Sequence, residues 1–340
     1  MADDTRYAYA VARIRGLETR LLDRQWIERL LAEDAGGALK VLADSAFQEA
    51  IADVGRPEDL EEGLVRALAE TLSTVSALSP VPALIDLFRV RWDFRNLKSL
   101  VKASLLKLGE GGVEPSRLEL GLTDGVGTIE LGVLEKAVQD EDYVALPAVL
   151  TDAARTATEA FRDNGELAGV DREFDRAMWG HLLATVREQG CEFLAGYFQV
   201  EIDLLNIRTF VRVKEAGLDR TDLLRVFVPD GTLDLSLLEA HLGEPIDAFA
   251  RSLEYGRYGA LAPVFREWTS ERAHVLELAC DNVLLNYVEP ARTIAYGIEP
   301  LVAFVLVRQM EIKLVRAAVA AKLDGVPREK LEGRLRAVHV

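Results

Sequence analysis

The residues that could do chemistry in this sequence are few and widely spaced. Glu271 and His274 form one Glu-x-x-His pair, which on a helix would place both side chains on one face and supply half of a carboxylate-bridged di-iron site. Such a site needs a second pair and two further glutamates. No acid stands at that spacing from the other histidines, which are His181, His241 and His339. The pair is therefore interpreted as structural, and no metal site is predicted.

Nucleotide and acyl-transfer motifs are also missing. The run Gly109–Gly112 lacks the lysine and the serine or threonine of a phosphate-binding loop, and no Gly-x-Ser-x-Gly elbow occurs. Asp3-Asp4 and Asp140–Asp142 are interpreted as solvated acidic segments. The sequence thus predicts no catalytic residue and no cofactor, although a site assembled in space from distant residues would escape this reading.

The two cysteines, Cys191 and Cys280, stand far apart with no CxxC companion, so we expect free thiols rather than a disulfide or a metal site. The formal net charge is -16, from 40 basic and 56 acidic residues. Such a charge repels nucleic acid and anionic lipid at long range and favours basic partners. Nucleic-acid binding is therefore not expected.

Hydropathy gives no sign of a membrane span or an export signal. The longest apolar run, Leu301–Val307, is much shorter than the roughly 20 residues that cross a bilayer. Met1–Arg6 carries two aspartates and no apolar signal core. These features predict a cytoplasmic protein.

Apolar residues recur at helical spacing along almost the whole chain, as in the stripe that begins at Ile14 and Leu17 and ends at Leu31. Strand-like alternation is scarce, and prolines and glycine clusters fall between the periodic stretches. The predicted fold is all-α. No heptad or strand edge invites self-association, so we expect no homo-oligomer.

A first pattern, predicted to open a helix, occurs three times. It reads Leu22-Asp23-x-x-x-Ile27-Glu28, Ile129-Glu130-x-x-x-Leu134-Glu135 and Leu233-Asp234-x-x-x-Leu238-Glu239, at intervals of 107 and 104 residues. The last two copies follow Gly-Thr, which is a typical N-cap setting with acids in the first turn.

A second pattern, predicted to lie inside a long helix, alternates with the first at intervals of 110 and 108 residues. Its three copies contain Asp93, Asn96 and Lys98; Asp203, Asn206 and Arg208; and Glu311, Leu314 and Arg316. A glycine follows each copy (Gly109, Gly217 and Gly325), as at a helix C-terminus.

The fixed order of the two patterns predicts three homologous helical units, residues 1–118, 119–224 and 225–340. Helices could interlock across these boundaries. A recurring acid and amide are more simply explained as a buried polar clamp on neighbouring helix ends than as an active site. The replacement of the amide by Leu314 fits that structural role.

Two stretches are basic within this acidic chain, one around residues 89–107 and one from residue 308 onward. Favourable charge near helix C-termini would explain them. They could also contact an acidic partner surface. The residues proposed for that contact are Arg308, Arg316, Arg328 and Arg334.

Three segments carry a family resemblance: the opening Tyr7–Arg15 with Leu21-Leu22, the central Glu201–Arg208, and the close from Glu299-Pro300 to Val315-Arg316. With their order and spacing, the chain resembles the C subunit of the archaeal and bacterial V/A-type ATPase, the relative of the d subunit of the vacuolar ATPase. The resemblance covers essentially the whole length, and its weakest part is the position of Leu314.

The resemblance implies a funnel of three similar helical domains around a pseudo-threefold axis, on the cytoplasmic face of the membrane rotor ring. It implies a non-catalytic socket into which the D and F subunits of the central stalk plug, so that rotation passes between the catalytic head and the ion-carrying ring. Two alternatives stay open: a helical adaptor of another complex, and a helical enzyme with a spatially assembled site.

Overall fold

The structure is a computed structural model, and it describes residues 5–107, 115–117, 119–326 and 328. Within these residues the chain forms fifteen α-helices and no strand, so the predicted all-α fold is confirmed. The first eight helices are α1 (Ala8–Glu18), α2 (Arg24–Ala32), α3 (Ala35–Ala43), α4 (Leu60–Leu78), α5 (Pro82–Leu105), α6 (Leu131–Gln139), α7 (Ala148–Asn164) and α8 (Leu167–Glu188).

The remaining helices are α9 (Glu192–Glu215), α10 (Arg220–Val226), α11 (Leu235–His241), α12 (Ile246–Leu253), α13 (Ala262–Arg266), α14 (Ala273–Val288) and α15 (Glu299–Leu323). Short 3-10 helices occupy Thr5–Tyr7, Pro57–Asp59, Gly259–Leu261, Ser270–Arg272 and Glu289–Thr293. No helix in the described ranges is long and apolar enough to cross a membrane.

The chain divides into two compact units. Unit 1 combines the chain up to Ile85 with the chain from Pro245 onward, and unit 2 is Asp86–Glu244. These units do not follow the three predicted repeats, because the beginning and the end of the chain pack together. The repeat boundaries stay a prediction about sequence.

The core of unit 2 forms where α5 to α8 pack together. Phe94 and Leu97 of α5, Leu134 of α6, Ala154 of α7 and Phe174 of α8 are all nearly inaccessible to solvent. In unit 1, α15 packs against α4, α1 and α14. The first turns of α15, Glu299–Leu306, are buried at every position. The run Leu301–Val307 is apolar on all sides of the helix, and such a run is stable only when it is surrounded.

The first sequence pattern does open three helices, but the N-cap differs from the prediction. The N-cap residues are the pattern's own acids: Asp23 accepts a hydrogen bond from the Trp26 amide at 2.9 Å, and Asp234 accepts one from the Ser236 amide at 2.9 Å. Glu130 stands at the same place before α6 without a side-chain cap. The threonines of the Gly-Thr pairs bond elsewhere.

Glycines terminate two of the three long helices as predicted. Gly217 after α9 and Gly325 after α15 adopt φ of 66° and 67°, the left-handed conformation in which glycine has no steric penalty. The end of α5 differs from the prediction. That helix ends at Leu105, with Lys107 at φ 53°, and Gly109 lies outside the described residues.

Candidate functional site: polar clamps on the long helices

Asp93 is buried in the middle of α5, where it is 1% exposed. Its carboxylate accepts hydrogen bonds from the Thr128 amide at 3.0 Å, the Thr128 hydroxyl at 2.6 Å and the Ile129 amide at 3.1 Å. Asn96, one turn further on, donates to the Thr123 carbonyl at 2.7 Å and accepts from the Thr123 amide at 3.0 Å. The pair therefore fixes the segment that leads into α6.

The same arrangement recurs between α9 and the segment before α11. Asp203 is 0% exposed and accepts from the Thr232 amide at 3.0 Å, the Thr232 hydroxyl at 2.5 Å and the Leu233 amide at 2.8 Å. Asn206 exchanges two hydrogen bonds with the backbone of Val228, at 2.8 and 2.9 Å. Each acid and amide thus satisfies backbone groups that no regular element pairs.

A glycine is required beside each aspartate. A Cβ atom added to Gly127 would lie 2.1 Å from Oδ1 of Asp93, and one added to Gly231 would lie 2.1 Å from Oδ1 of Asp203. Real Cβ atoms do not approach oxygen so closely. The Gly-Thr pairs therefore serve the clamps, since glycine gives the carboxylate room and threonine donates two hydrogen bonds to it.

The third clamp joins the last long helix to the beginning of the chain. The amide of Leu22 donates to Oε1 of Glu311, across 289 residues of sequence. Leu22 holds the place that Ile129 and Leu233 hold in the other copies. Glutamate has one more methylene than aspartate, and this clamp has no Gly-Thr pair beside it.

The fold explains why this copy has Leu314 in place of an asparagine. Thr123, the partner of Asn96, lies six residues before Ile129; the residue six before Leu22 is Gly16, which lies within α1. Backbone groups inside a helix already bond one another, so an amide is not needed there. Leu314 is 4% exposed and contributes to the apolar core instead.

Glu311 also pairs with a buried arginine. Arg308 Nη1 donates to Glu311 Oε2 at 2.7 Å, and both side chains are 7% exposed. The Arg308 guanidinium also donates to the Ala46 carbonyl at 3.1 Å and lies 3.9 Å from the Phe47 ring centroid. These contacts satisfy a charge that would be costly to bury alone.

Burial perturbs the pKa of Asp93 and the pKa of Glu311. It raises the pKa of Asp93, against the opposing hydrogen bonds from Thr128 and Ile129 and the positive charge of Arg89. Burial likewise raises the pKa of Glu311, and the charge of Arg308 opposes that shift. In both sites the desolvation of the carboxylate is the larger influence.

The basic residue of the second pattern does not have one fixed role. Lys98 pairs with Asp175 of α8 at 2.8 Å, Arg316 makes a two-point contact with Glu61 of α4, and Arg208 lies half-buried on α9. Charge at this position is common to the three copies, while Lys98 and Arg316 have partners on different helices.

The structure changes the proposed partner-contact set. Arg308 is 6% exposed and is bonded within this chain, so its burial removes it from any contact surface. Arg316 is partly exposed but paired with Glu61, and Arg328 is exposed. Arg334 lies outside the described residues. Arg316, Arg328 and Arg334 therefore stay as the proposed contacts.

Much of the basic stretch on α5 is neutralised inside unit 2. Lys98 and Lys102 form ion pairs with Asp175 and Asp171 of α8, at 2.8 and 2.9 Å. Arg91 makes a two-point contact with a glutamate of α9 that is itself mostly buried. The expected acidic partner for these residues is thus supplied by the chain itself.

Sequence reasoning missed a second recurring contact. Lys214, eleven residues after Asp203, donates to the carbonyls of His241 and Leu242 at the C-terminus of α11, at 3.1 and 2.7 Å. Lys322, eleven residues after Glu311, donates to the carbonyl of Leu31 at the end of α2, at 3.1 Å. The constant offset from the clamp acid was the signal that could have revealed it.

The remaining residues that could bind a metal or act as nucleophiles, which are the histidines and cysteines, are not grouped into a site in the described part of the chain. His274 is exposed and its Nδ1 lies 3.1 Å from the backbone carbonyl of Glu271, which is a local contact. Among the residues that the structure covers, no three histidine, cysteine or acidic side chains are grouped so as to hold a metal ion. Cys191 is half-buried, Cys280 is buried, and both are free thiols. His339 lies outside the described residues.

Comparison with known proteins finds one matching family and individual relatives named as subunits of the same kind. The model of the family described as "ATP synthase (C/AC39) subunit" matches residues 10–334. The chain is 28% identical to the C subunit of the A-type ATP synthase of Desulfurococcus sp. (strain SY), covering 96% of this chain and 90% of the relative. It is 26% identical to the C subunit of the V-type sodium ATPase of Enterococcus hirae, covering 96% and 97%. Because the family model matches nearly the whole length, this chain belongs to the ATP synthase (C/AC39) subunit family.

Proposed function

We propose that this chain is a central-stalk component of a rotary A/V-type ATPase and acts as a socket between the membrane rotor ring and the shaft. Family membership over residues 10–334 carries this proposal. The relatives are named as the C subunit of an A-type ATP synthase or of a V-type sodium ATPase. In this role the chain has no catalytic site of its own and sits peripherally on the cytoplasmic side of the membrane.

The partners in this proposal are the D and F subunits of the stalk and the proteolipid ring. A socket that transmits torque must resist deformation, and the buried clamps favour such stiffness. They tie Asp93, Asp203 and Glu311 to the segments that begin α6, α11 and α2. Hydrogen-bonded carboxylates in a low-dielectric core hold one geometry, because any displacement strands buried donors.

The test is ATP hydrolysis and ATP-driven ion pumping, measured on the same reconstituted vesicles with and without this chain. We expect hydrolysis by the catalytic head to persist and pumping to stop when the chain is absent. Adding the purified chain back is the control, and it should restore pumping. Normal pumping without the chain would reject the socket role and favour an adaptor.

The proposed contact surface is tested separately. Charge reversal at Arg316 and Arg328 should weaken assembly with the stalk or ring and make it more salt-sensitive, because exposed ion pairs are screened over about 10 Å at 0.1 M salt. Arg24→Glu is a matched control, since Arg24 is an exposed arginine paired with Glu28 of its own helix. Assembly that is unchanged by the double reversal would reject this surface alone.

A further inference from the structure

One of the three copies lacks the lysine that caps its short helix. The position eleven residues after the clamp acid is Lys214 in one copy and Lys322 in another, but it is Ser104 after Asp93. In the two copies with lysine, the ammonium group binds carbonyls at the C-terminus of α11 or α2. In the copy that begins with Asp93 the corresponding helix is α6, and position 104 is a serine.

The end of α6 is capped by its own backbone instead. The Glu141 amide donates to the Val138 carbonyl at 3.3 Å, and the Asp142 amide donates to the Ala137 carbonyl at 3.0 Å. Glu141 adopts φ 51°, a conformation that costs about 1 kcal/mol or more for a residue other than glycine. The fold therefore does not depend on a lysine at this place.

A cleft of about 340 Å³ opens beside Ser104. The loop between α6 and α7 forms one wall and contributes Glu141 and Asp142, and Glu159 of α7 adds a third carboxylate. Arg155 and Arg162 also line the cleft, so its lining has three acids against two arginines. Arg155 lies 3.7 Å from Asp152, an acid on its own helix.

The loop that forms this wall is longer than its counterparts. Residues 140–147 separate α6 from α7, whereas only residues 33–34 separate α2 from α3, and 242–245 separate α11 from α12. Val144 within the long loop is 88% exposed and contributes to the cleft. An exposed valine beside carboxylates suits a side chain with an aliphatic stem and a cationic end, which is the form of lysine.

We propose that this cleft receives a lysine side chain from another polypeptide, at the place that Lys214 and Lys322 fill from within the chain in the other two copies. The ammonium group binds at the C-terminal end of α6 among Glu141, Asp142 and Glu159, where the helix dipole also favours positive charge. The chain's own repeats thus specify the chemistry of the partner, a polypeptide with an exposed lysine.

The first experiment uses the isolated chain and does not depend on the proposed rotor role. Ser104 is exposed, so Ser104→Lys should not disturb the core. If the cleft accepts an ammonium group, Ser104→Lys should have a Tm about 2 °C or more above Ser104→Met, which has similar length and no charge. The advantage should disappear when Glu141→Gln and Asp142→Asn are added. Equal Tm values for the lysine and methionine variants would overturn the proposal.

The second experiment uses the intact complex extracted from membranes. A carbodiimide should join one of the cleft carboxylates to a lysine of another polypeptide, identified by mass spectrometry of the cross-linked peptides. Ser104→Lys should abolish that cross-link, because the introduced lysine competes for the cleft, while Ser104→Ala should retain it. Cleft carboxylates cross-linked only to lysines of this chain would overturn the external occupant, even where the first experiment succeeds.

Discussion

Gly231 and Asp203 should be energetically coupled. Replacing Asp203 with alanine removes the acceptor of three hydrogen bonds at 2.5 to 3.0 Å from a fully buried site. Two of the stranded donors are backbone amides, of Thr232 and Leu233. At 1–3 kcal/mol for each unsatisfied buried group, with partial relaxation, we expect a loss of about 3–5 kcal/mol in the free energy of unfolding.

Gly231→Ala perturbs the same clamp by placing a new side-chain atom against the Asp203 carboxylate. Its new Cβ would lie 2.1 Å from the Asp203 carboxylate, which must move by about 1 Å and lose its hydrogen bonds. We expect a cost of about 2–4 kcal/mol. In the Asp203→Ala background the carboxylate is gone, so the glycine change should add little. The coupling free energy of the double-mutant cycle should therefore reach about 2 kcal/mol.

Equilibrium urea unfolding followed by far-UV circular dichroism measures all four proteins of this cycle. Gly132→Ala is the matched control, because an added Cβ there meets nothing within 4 Å and Gly132 lies within α6. It should be neutral or stabilise by up to about 1 kcal/mol. Costs for Gly231→Ala and Asp203→Ala that add within about 0.5 kcal/mol would refute the shared-space argument.

Three further predictions concern charge. Arg308→Met should lower the free energy of unfolding by about 3–5 kcal/mol, because it leaves the buried Glu311 carboxylate without its compensating charge. Arg316→Met breaks an exposed pair and should cost under about 1 kcal/mol in the same urea assay. Equal costs for the two variants would contradict the assigned burial. Because burial raises the pKa of Asp93, the stability that this group contributes is fully present below the unfolded-state pKa and is lost as pH rises through the folded-state pKa. Urea titrations at several pH values should therefore show the stability of the parent relative to Asp93→Asn falling as pH rises from about 4, and a rise would contradict the direction of the shift. Lys214→Met should cost about 1 kcal/mol by removing the cap on α11, and amide hydrogen exchange should show faster opening of that helix but not of α6.

Local sequence patterns predicted much of this protein because their physical causes are local. Helical periodicity indicated the all-α class, since the burial of one helix face depends on spacing within a dozen residues. The order of the two patterns identified Asp93, Asn96, Asp203 and Asn206 as a recurring acid and amide. Glycine after α9 and α15 marked helix ends, because a left-handed residue there is a property of the chain at that point.

The partners of those residues were decided only by the tertiary structure. No local signal shows that Glu311 binds the amide of Leu22, since 289 residues separate them and only the packing of α15 against the first helices brings them together. The same packing buries Arg308, which sequence alone could not distinguish from the exposed Arg328. The presence of leucine rather than asparagine at position 314 is explained only by the structure, in which the corresponding backbone at Gly16 lies within α1.

The distribution of charge on the surface also could not be predicted without the tertiary structure. Composition predicts an acidic chain with basic helices, but whether those bases face solvent depends on which helices are neighbours. Lys98 and Lys102 meet Asp175 and Asp171 because α8 lies against the rest of the unit 2 core, about 70 residues along the chain. Composition thus determined the net charge, whereas the packing of helices decided which charged side chains form ion pairs within the chain.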